Sequence, residues 1–475
     1  MPAAMSYTPN DDHIREAAQS ERLTRETAAN KAVAYYRGQH AKPLKKNPRE
    51  PDLNVVMNLF KMRIDRRRDF LFPALPDIEL GDDTDTAATA DETWLDQAWA
   101  SNGGAVLAGK MVLDGSRFGH VYVRMLPPGA RGIFPRVRLL NNIITFWQAD
   151  DVATPLWHEV QWTVGKITYR QDILDLETLG MGSGYEIRQY QAAQNNTGKG
   201  EGWSADGVIA WPYDTPPIID WQHWPEERIY YGSGEDGDLD LNDAVNRVLS
   251  QANAVIRNHA FPKTIATGVS AGKVEVATAI DSFWTIQNPN AKVYNLEMQS
   301  DLTAIMNMAN ALKEAYTSQG RVVLLSGQPS EFARLTNLAV RTVFMDMINA
   351  NNTLRSTYGS GIKRICEAML TMAGRDAGYD VTLNWDDALP ENDLEQAQVI
   401  QLLRGMGLIS KQTSAGEIGL DWEQETARME DEDDGNAALL QKLIRTGGNS
   451  PFQIGSPTPA VDNAAPVPAN DGVPA

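Results

Sequence analysis

Residues 238–259, DLDLNDAVNRVLSQANAVIRNH, and 300–320, SDLTAIMNMANALKEAYTSQG, decide how the rest of the chain is read. In the first, Leu241, Val245, Val248, Ala252, Val255 and His259 recur at helical spacing, which predicts a helix with one apolar face. Asp238, Asp240 and Asn242 crowd its start, where caps and negative charge suit free N–H groups and the helix dipole. Phe261-Pro262 closes it. In the second, Ser300-Asp301 caps a helix with Leu302, Ile305, Met308, Ala309, Leu312 and Tyr316 on one face, and Gly320 ends it. Between them the period changes to strand-like runs, Lys263–Val269, Lys273–Ala277 and Phe283–Ile286, with Asn288-Pro289-Asn290 as a turn. Residues 321–334 read as a loop. Periodicity alone fits a helical hairpin with an incidental β insert equally well.

A long helix follows from about Leu335, striped by Leu338, Met345 and Ile348, then Leu354, Tyr358, Ile362, Ile365, Met369 and Met372. Gly359 and Gly361 interrupt it, and glycine costs about 1 kcal/mol against alanine inside a helix, so a kink is expected there. Met345, Met347, Met369 and Met372 read as adaptable core filler. Upstream, residues 10–37 form a helix stopped by Gly38, and Lys42, Lys45, Lys46 and Arg49 make a basic, proline-punctuated loop. A second helix, Asn54–Phe72, carries Arg63, Arg66, Arg67 and Arg68. That face suits DNA or an acidic neighbouring subunit; a merely solvated face is the competing reading.

Thr84–Asn102, anchored by Trp94 and Trp99, and Gly103–Gly115 are further helices. Strands are expected at His120–Met125, Val137–Leu140, Trp157–Val164, Tyr185–Tyr190 and Val208–Trp211. Gly180-Met181-Gly182-Ser183-Gly184 lacks the Lys-Ser/Thr of a phosphate loop and reads as a hairpin tip. Val381–Trp385 reads as a strand, and Pro390–Leu403, Ser410–Ala415, Asp421–Glu432 and Asn436–Arg445 as helices. From about Thr446 the composition predicts disorder. The chain is therefore α+β.

At 475 residues and 42% hydrophobic content the chain can build real cores, and a net charge of −19 argues against wrapping nucleic acid with a basic surface. The lone cysteine, Cys366, lies on the apolar side of a helix and reads as a small core residue. No apolar run is long enough to cross a membrane, and no basic-then-apolar leader opens the sequence. The six histidines are scattered, and no metal, nucleophile or phosphate-loop signature appears. Asp236-Gly237-Asp238-Leu239-Asp240 fails the calcium-loop pattern, because its sixth and twelfth places hold Leu241 and Arg247. Asp386-Asp387 are adjacent on a strand and point to opposite faces, a poor magnesium site. No catalytic, metal or cofactor residue is expected.

Several strings in fixed order carry a resemblance: Tyr35-Tyr36-Arg37-Gly38, Pro216-Pro217-Ile218-Ile219 before Trp221, Tyr231-Gly232-Ser233-Gly234, Ser326-Gly327-Gln328, and Leu408-Ile409-Ser410-Lys411-Gln412-Thr413. Across about 20–430 the chain resembles the portal proteins of long-tailed double-stranded DNA phages, with their wing–stem–clip–crown layout. The resemblance implies a wing at 1–237, stem helices at 238–262 and 300–320, a small β-rich clip at 263–299 and a tunnel loop at 321–334. It further implies a kinked helix and wing strand at 335–392, a short helical crown at 393–445 and a disordered tail at 446–475. A portal is a ring of about twelve subunits built from heterologous contacts, at one capsid vertex of the virion, assembled in the host cytoplasm. Double-stranded DNA passes through it, and the terminase large subunit, major capsid and scaffolding proteins, and head-completion or adaptor proteins dock on it.

On that basis Arg321, Ser326, Gly327, Gln328, Pro329, Ser330 and Arg334 would face DNA, with an ordinary helix connection as the competing reading. Val274, Val276, Phe283 and Trp284 would dock the motor. Two other classes compete: a metal-dependent enzyme acting on nucleic acid, and a capsid-shell or adaptor protein.

Overall fold

A computed structural model describes residues 7–8, 11–45, 52–81, 86–129, 132–148, 151–193, 202–260, 263–267, 292–296, 302–323, 337–375, 378–387, 393–416, 422 and 425–429. In chain order the elements are α1 (Asp12–Tyr36), α2 (Leu59–Leu71), β1 (Asp77–Leu80), α3 (Thr86–Ser101) and α4 (Gly104–Phe118). The strands β2 (His120–Leu126), β3 (Arg136–Leu140), β4 (Ile143–Gln148), β5 (Asp151–Val164), β6 (Ile167–Asp175), β7 (Tyr185–Ala193), β8 (Ser204–Ala210) and β9 (Ile218–Gln222) follow. Then come α5 (Leu239–Ala260), the antiparallel pair β10 (Lys263–Thr267) and β11 (Lys292–Leu296), and α6 (Leu302–Gln319). After these stand α7 (Asn337–Val343), α8 (Met345–Met372) and β12 (Val381–Asn384). A separate unit, Glu391–Ala475, contains α9 (Asp393–Gly405) and α10 (Lys411–Gly416), the latter capped by Ser410 Oγ, which accepts from Thr413 N at 3.0 Å.

Alternation along β2 builds two cores at once. Val121, Val123 and Met125 join the core made by α3, α4 and α8. Tyr122, on the other face, meets Ile143, Val160, Ile173 and Ile187. The sheet order β3-β2-β9 is thus pressed between helices and the antiparallel meander β4-β5-β6-β7-β8. The glycine-rich stretch 180–184 lies in the connection between β6 and β7, in hairpin position. β1 pairs with β12 across about 300 residues of sequence, Ile78 opposite Leu383.

The apolar stripe of α8 is buried as its spacing predicts, with Leu354, Tyr358, Ile362, Ile365 and Met369 fully inside. The kink expected at Gly359 and Gly361 does not take the form of a break in the helix. Helix α8 is continuous over both, and the break falls at Phe344. These glycines serve packing: a Cβ on Gly361 would stand 2.5 Å from the Trp221 ring. Cys366 is a core residue whose sulfur accepts the Trp99 indole N–H at 3.3 Å, and burial pushes its thiol up to about 12. Among the described residues no helix is long and apolar enough to cross a membrane.

Candidate functional site

Helices α5 and α6 pack side by side through Leu241, Val245, Leu249, Leu312 and Tyr316. The start of α5 and the end of α6 meet α2, and this root is where the buried charge of the region collects. Helix α2 does not begin at Asn54. Asn58 caps it, accepting from Lys61 N at 2.9 Å, and the preceding residues run extended along α5. Asn246 Oδ1 accepts from Met57 N at 2.7 Å, Ser250 Oγ from Val55 N at 2.9 Å, and Asn253 Nδ2 donates to Leu53 O at 2.9 Å. Asn242 Oδ1 accepts from Phe60 N while its Nδ2 donates to Met57 O. Asn242 is therefore no cap for α5: it takes a first-turn N–H of α2, and with Asn246, Ser250 and Asn253 it supplies the backbone of 53–57 with the partners a neighbouring strand would have given.

Glu235, just before α5, is the hub of the root. Its fully buried carboxylate meets Arg63 Nε, Arg67 Nε at 3.3 Å, His223 Nε2 at 3.5 Å and the Trp224 indole N–H at 3.1 Å. Burial alone would raise this carboxyl, but Arg63, His223 and Arg67 outweigh it and hold it far below the ordinary carboxylate range. His223 turns Nε2 to the Glu235 carboxylate, and its Nδ1 lies 2.8 Å from the Tyr358 hydroxyl. Burial, opposed by Glu235, lowers the histidine. Tyr358 brings in α8, and Glu235 N donates to Ser116 O at 2.7 Å, bringing in α4.

The end of α6 breaks a usual rule. Val322 N bonds Thr317 O and Arg321 N bonds Ser318 O, both at 3.1 Å, the pattern of a helix closed by a left-handed residue. That residue is Arg321, φ 47°, and not Gly320. One place earlier, a Cβ on Gly320 would crowd Arg63 Nε at 3.0 Å, so glycine eases that contact. Arg321 therefore carries the left-handed cost, roughly 1 kcal/mol. Arg321→Gly should raise thermal stability by a corresponding few tenths to 1 kcal/mol in a melting experiment; an unchanged or lowered midpoint would show that the arginine side chain compensates.

The phage portal protein family of the SPP1 Gp6-like type matches residues 15–438. The chain belongs to that family. No curated protein matches this portal protein. Among solved structures, a chain in the neck of a native GTA particle, computed with C12 symmetry, is 14% identical with a TM-score of 0.43, covering 76% of this chain and 89% of that one. A chain in the neck of an empty GTA particle, computed with C6 symmetry, is 14% identical with a TM-score of 0.44, covering 77% and 90%.

In this portal protein two of the four arginines expected to face DNA or a neighbour turn into the fold, and the other two stay part-exposed. Arg63 and Arg67 turn inward to Glu235, Arg66 donates to Val323 O, and Arg68 pairs with Asp69 at 2.7 Å and Asp65 at 3.4 Å. A buried guanidinium needs a partner inside the fold, and Glu235 attracts two of them. Arg321 is exposed at the end of α6. Ser326, Gly327, Gln328, Pro329, Ser330 and Arg334 lie outside the described residues, as do Val274, Val276, Phe283 and Trp284. The expected strands at Lys273–Ala277 and Phe283–Ile286, the helix at 436–445 and the tail from 446 lie outside them too. Glu235, His223 and Tyr358 were missed, for a buried ion cluster assembled from distant segments has no local pattern.

Proposed function

We propose that this chain is one subunit of a ring, of about twelve copies, that lets double-stranded DNA enter and leave a capsid at one vertex of the virion. The family match across residues 15–438 carries the reading. The paired helices α5 and α6 serve as the stem lining the bore, 263–299 as the clip and 321–334 as the tunnel loop, with the helices and sheets before α5 as the wing and 393–445 as a crown. The role is structural and not catalytic. Electrostatics favours a conduit: tight DNA binding releases counterions and would arrest movement, whereas a chain of net charge −19 leaves the duplex free to slide. Arg321 and Arg334 then provide sparse basic contacts beside the small residues 326–330. Terminase docks at the clip during packaging, and head-completion proteins replace it before ejection.

Deleting residues 325–331 should leave rings intact and shorten packaged DNA or weaken its retention; unchanged packaged length and retention would overturn the loop assignment. In the same assay Phe283→Ala with Trp284→Ala should assemble and lose motor binding, and undiminished binding would overturn the docking assignment.

A further inference from the structure

The chain leaving α6 is held from outside by two consecutive residues of α2. Arg67 Nη2 donates to Gly320 O at 2.7 Å, and Arg66 Nη1 donates to Val323 O. The two acceptors flank Arg321, the left-handed residue, and Val322 between them is buried. A helix that simply had to stop would take glycine at the left-handed place and leave its last carbonyls to water. Here the carbonyls before and after the turn are both fixed by side chains. Since each residue has only two soft dihedrals, two fixed carbonyls hold the backbone of 320–323 in one conformation.

The same helix binds the start of α5, because Arg63 pairs with Asp238 and with Glu235. Gly320 eases this, lacking the Cβ that would crowd Arg63. We propose that Arg66 and Arg67 are positioning residues, a two-pronged clamp that fixes the exit of α6 relative to the start of α5 and so sets where the following loop meets DNA. The second half of that statement rests on the reading of 321–334 as the tunnel loop.

Arg66 is the separable prong. It is half-buried and its partner is a carbonyl, so removing it strands no buried charge, unlike Arg67, which is 1% exposed beside Glu235. The test uses assembled full-chain rings carrying Arg66→Ala, with Arg66→Lys as the conservative variant. Amide hydrogen exchange is read at residues 320–323 and, as a control, across Ala309–Tyr316. Loss of one hydrogen bond should speed exchange at 320–323 by roughly five- to tenfold while the control amides keep the parental rate. Lysine, with a single ammonium in place of a fork, should restore part of the protection, and Arg66→Ala rings should retain less DNA.

Parental exchange at 320–323 in Arg66→Ala would overturn the clamp. Faster exchange with unchanged DNA retention would uphold the clamp and overturn the DNA-facing reading of the loop. If Arg66→Ala does not assemble, Arg66→Lys carries the same measurement with the same two outcomes.

Discussion

Glu235→Gln should lower the stability of the chain by about 3–5 kcal/mol, the cost of removing one partner from a buried ion cluster. The substitution keeps the volume of the side chain and an oxygen for the Trp224 indole N–H. It strips the charge that faces Arg63, Arg67 and His223. Arg63 retains Asp238, so Arg67, buried to 1% exposure, bears most of the loss. A chain of this size unfolds in more than one step, so the comparison belongs to the transition that exposes Trp224, followed by fluorescence in denaturant.

The pH dependence has a fixed sign. Glu235 is held below its ordinary value in the fold, so its contribution is complete at neutral pH and is lost only in acid, below about 4.3. His223 is held neutral by burial, so its contribution is present above about 6.5 and drains as pH falls through that value. Acidification from pH 7 to 5 should therefore weaken the transition that exposes Trp224, through His223, while Glu235 stays ionised. An unshifted Glu235→Gln midpoint would mean that the two guanidiniums reach water or another acid.

Gly361→Ala and Gly359→Ala should act in opposite directions although they sit two residues apart on one helix. Helix propensity alone favours alanine at both by about 1 kcal/mol. At 359 the new methyl would touch Leu383 and Trp385 at 3.6 and 3.7 Å, ordinary contact distances, so the gain should survive. At 361 it would stand 2.5–2.7 Å from three atoms of the ring of Trp221, a β9 residue whose ring also packs edge-on against Tyr358. Overpacking of that kind costs roughly 1–3 kcal/mol and exceeds the propensity gain. Thermal melts of the two variants decide it: a rise for the first and a fall for the second are expected, and a rise for both would mean that Trp221 can move aside.

Periodicity carried the sequence reading wherever a helix presented a single apolar stripe. Leu354, Tyr358, Ile362, Ile365 and Met369 are buried as their spacing foretold, and Trp99 is enclosed in the same core. It failed where a residue answers to something far away in sequence. Gly361 is a clearance for Trp221, and Gly320 lies against Arg63 while Arg321 takes the left-handed place. Asn242, Asn246 and Ser250 repeat at four-residue spacing and are fully buried, a periodic polar signal in the sequence beside the apolar stripe of the same helix. Arg63 and Arg67 read as part of a basic face because charge in a sequence carries no sign of which acid, here Glu235, will fold against it. Strands β1, β4, β6 and β9 had too few alternating residues, or too mixed a run, to stand out before their partners were known.

The most direct measurement is electron microscopy of the purified full chain, with subunits fitted into the averaged particle. Closed rings should appear, about twelve subunits around a central hole, with α5 and α6 facing it. A stable compact monomer under every assembly condition, or rings that carry the helical pair on their outer rim, would contradict the conduit.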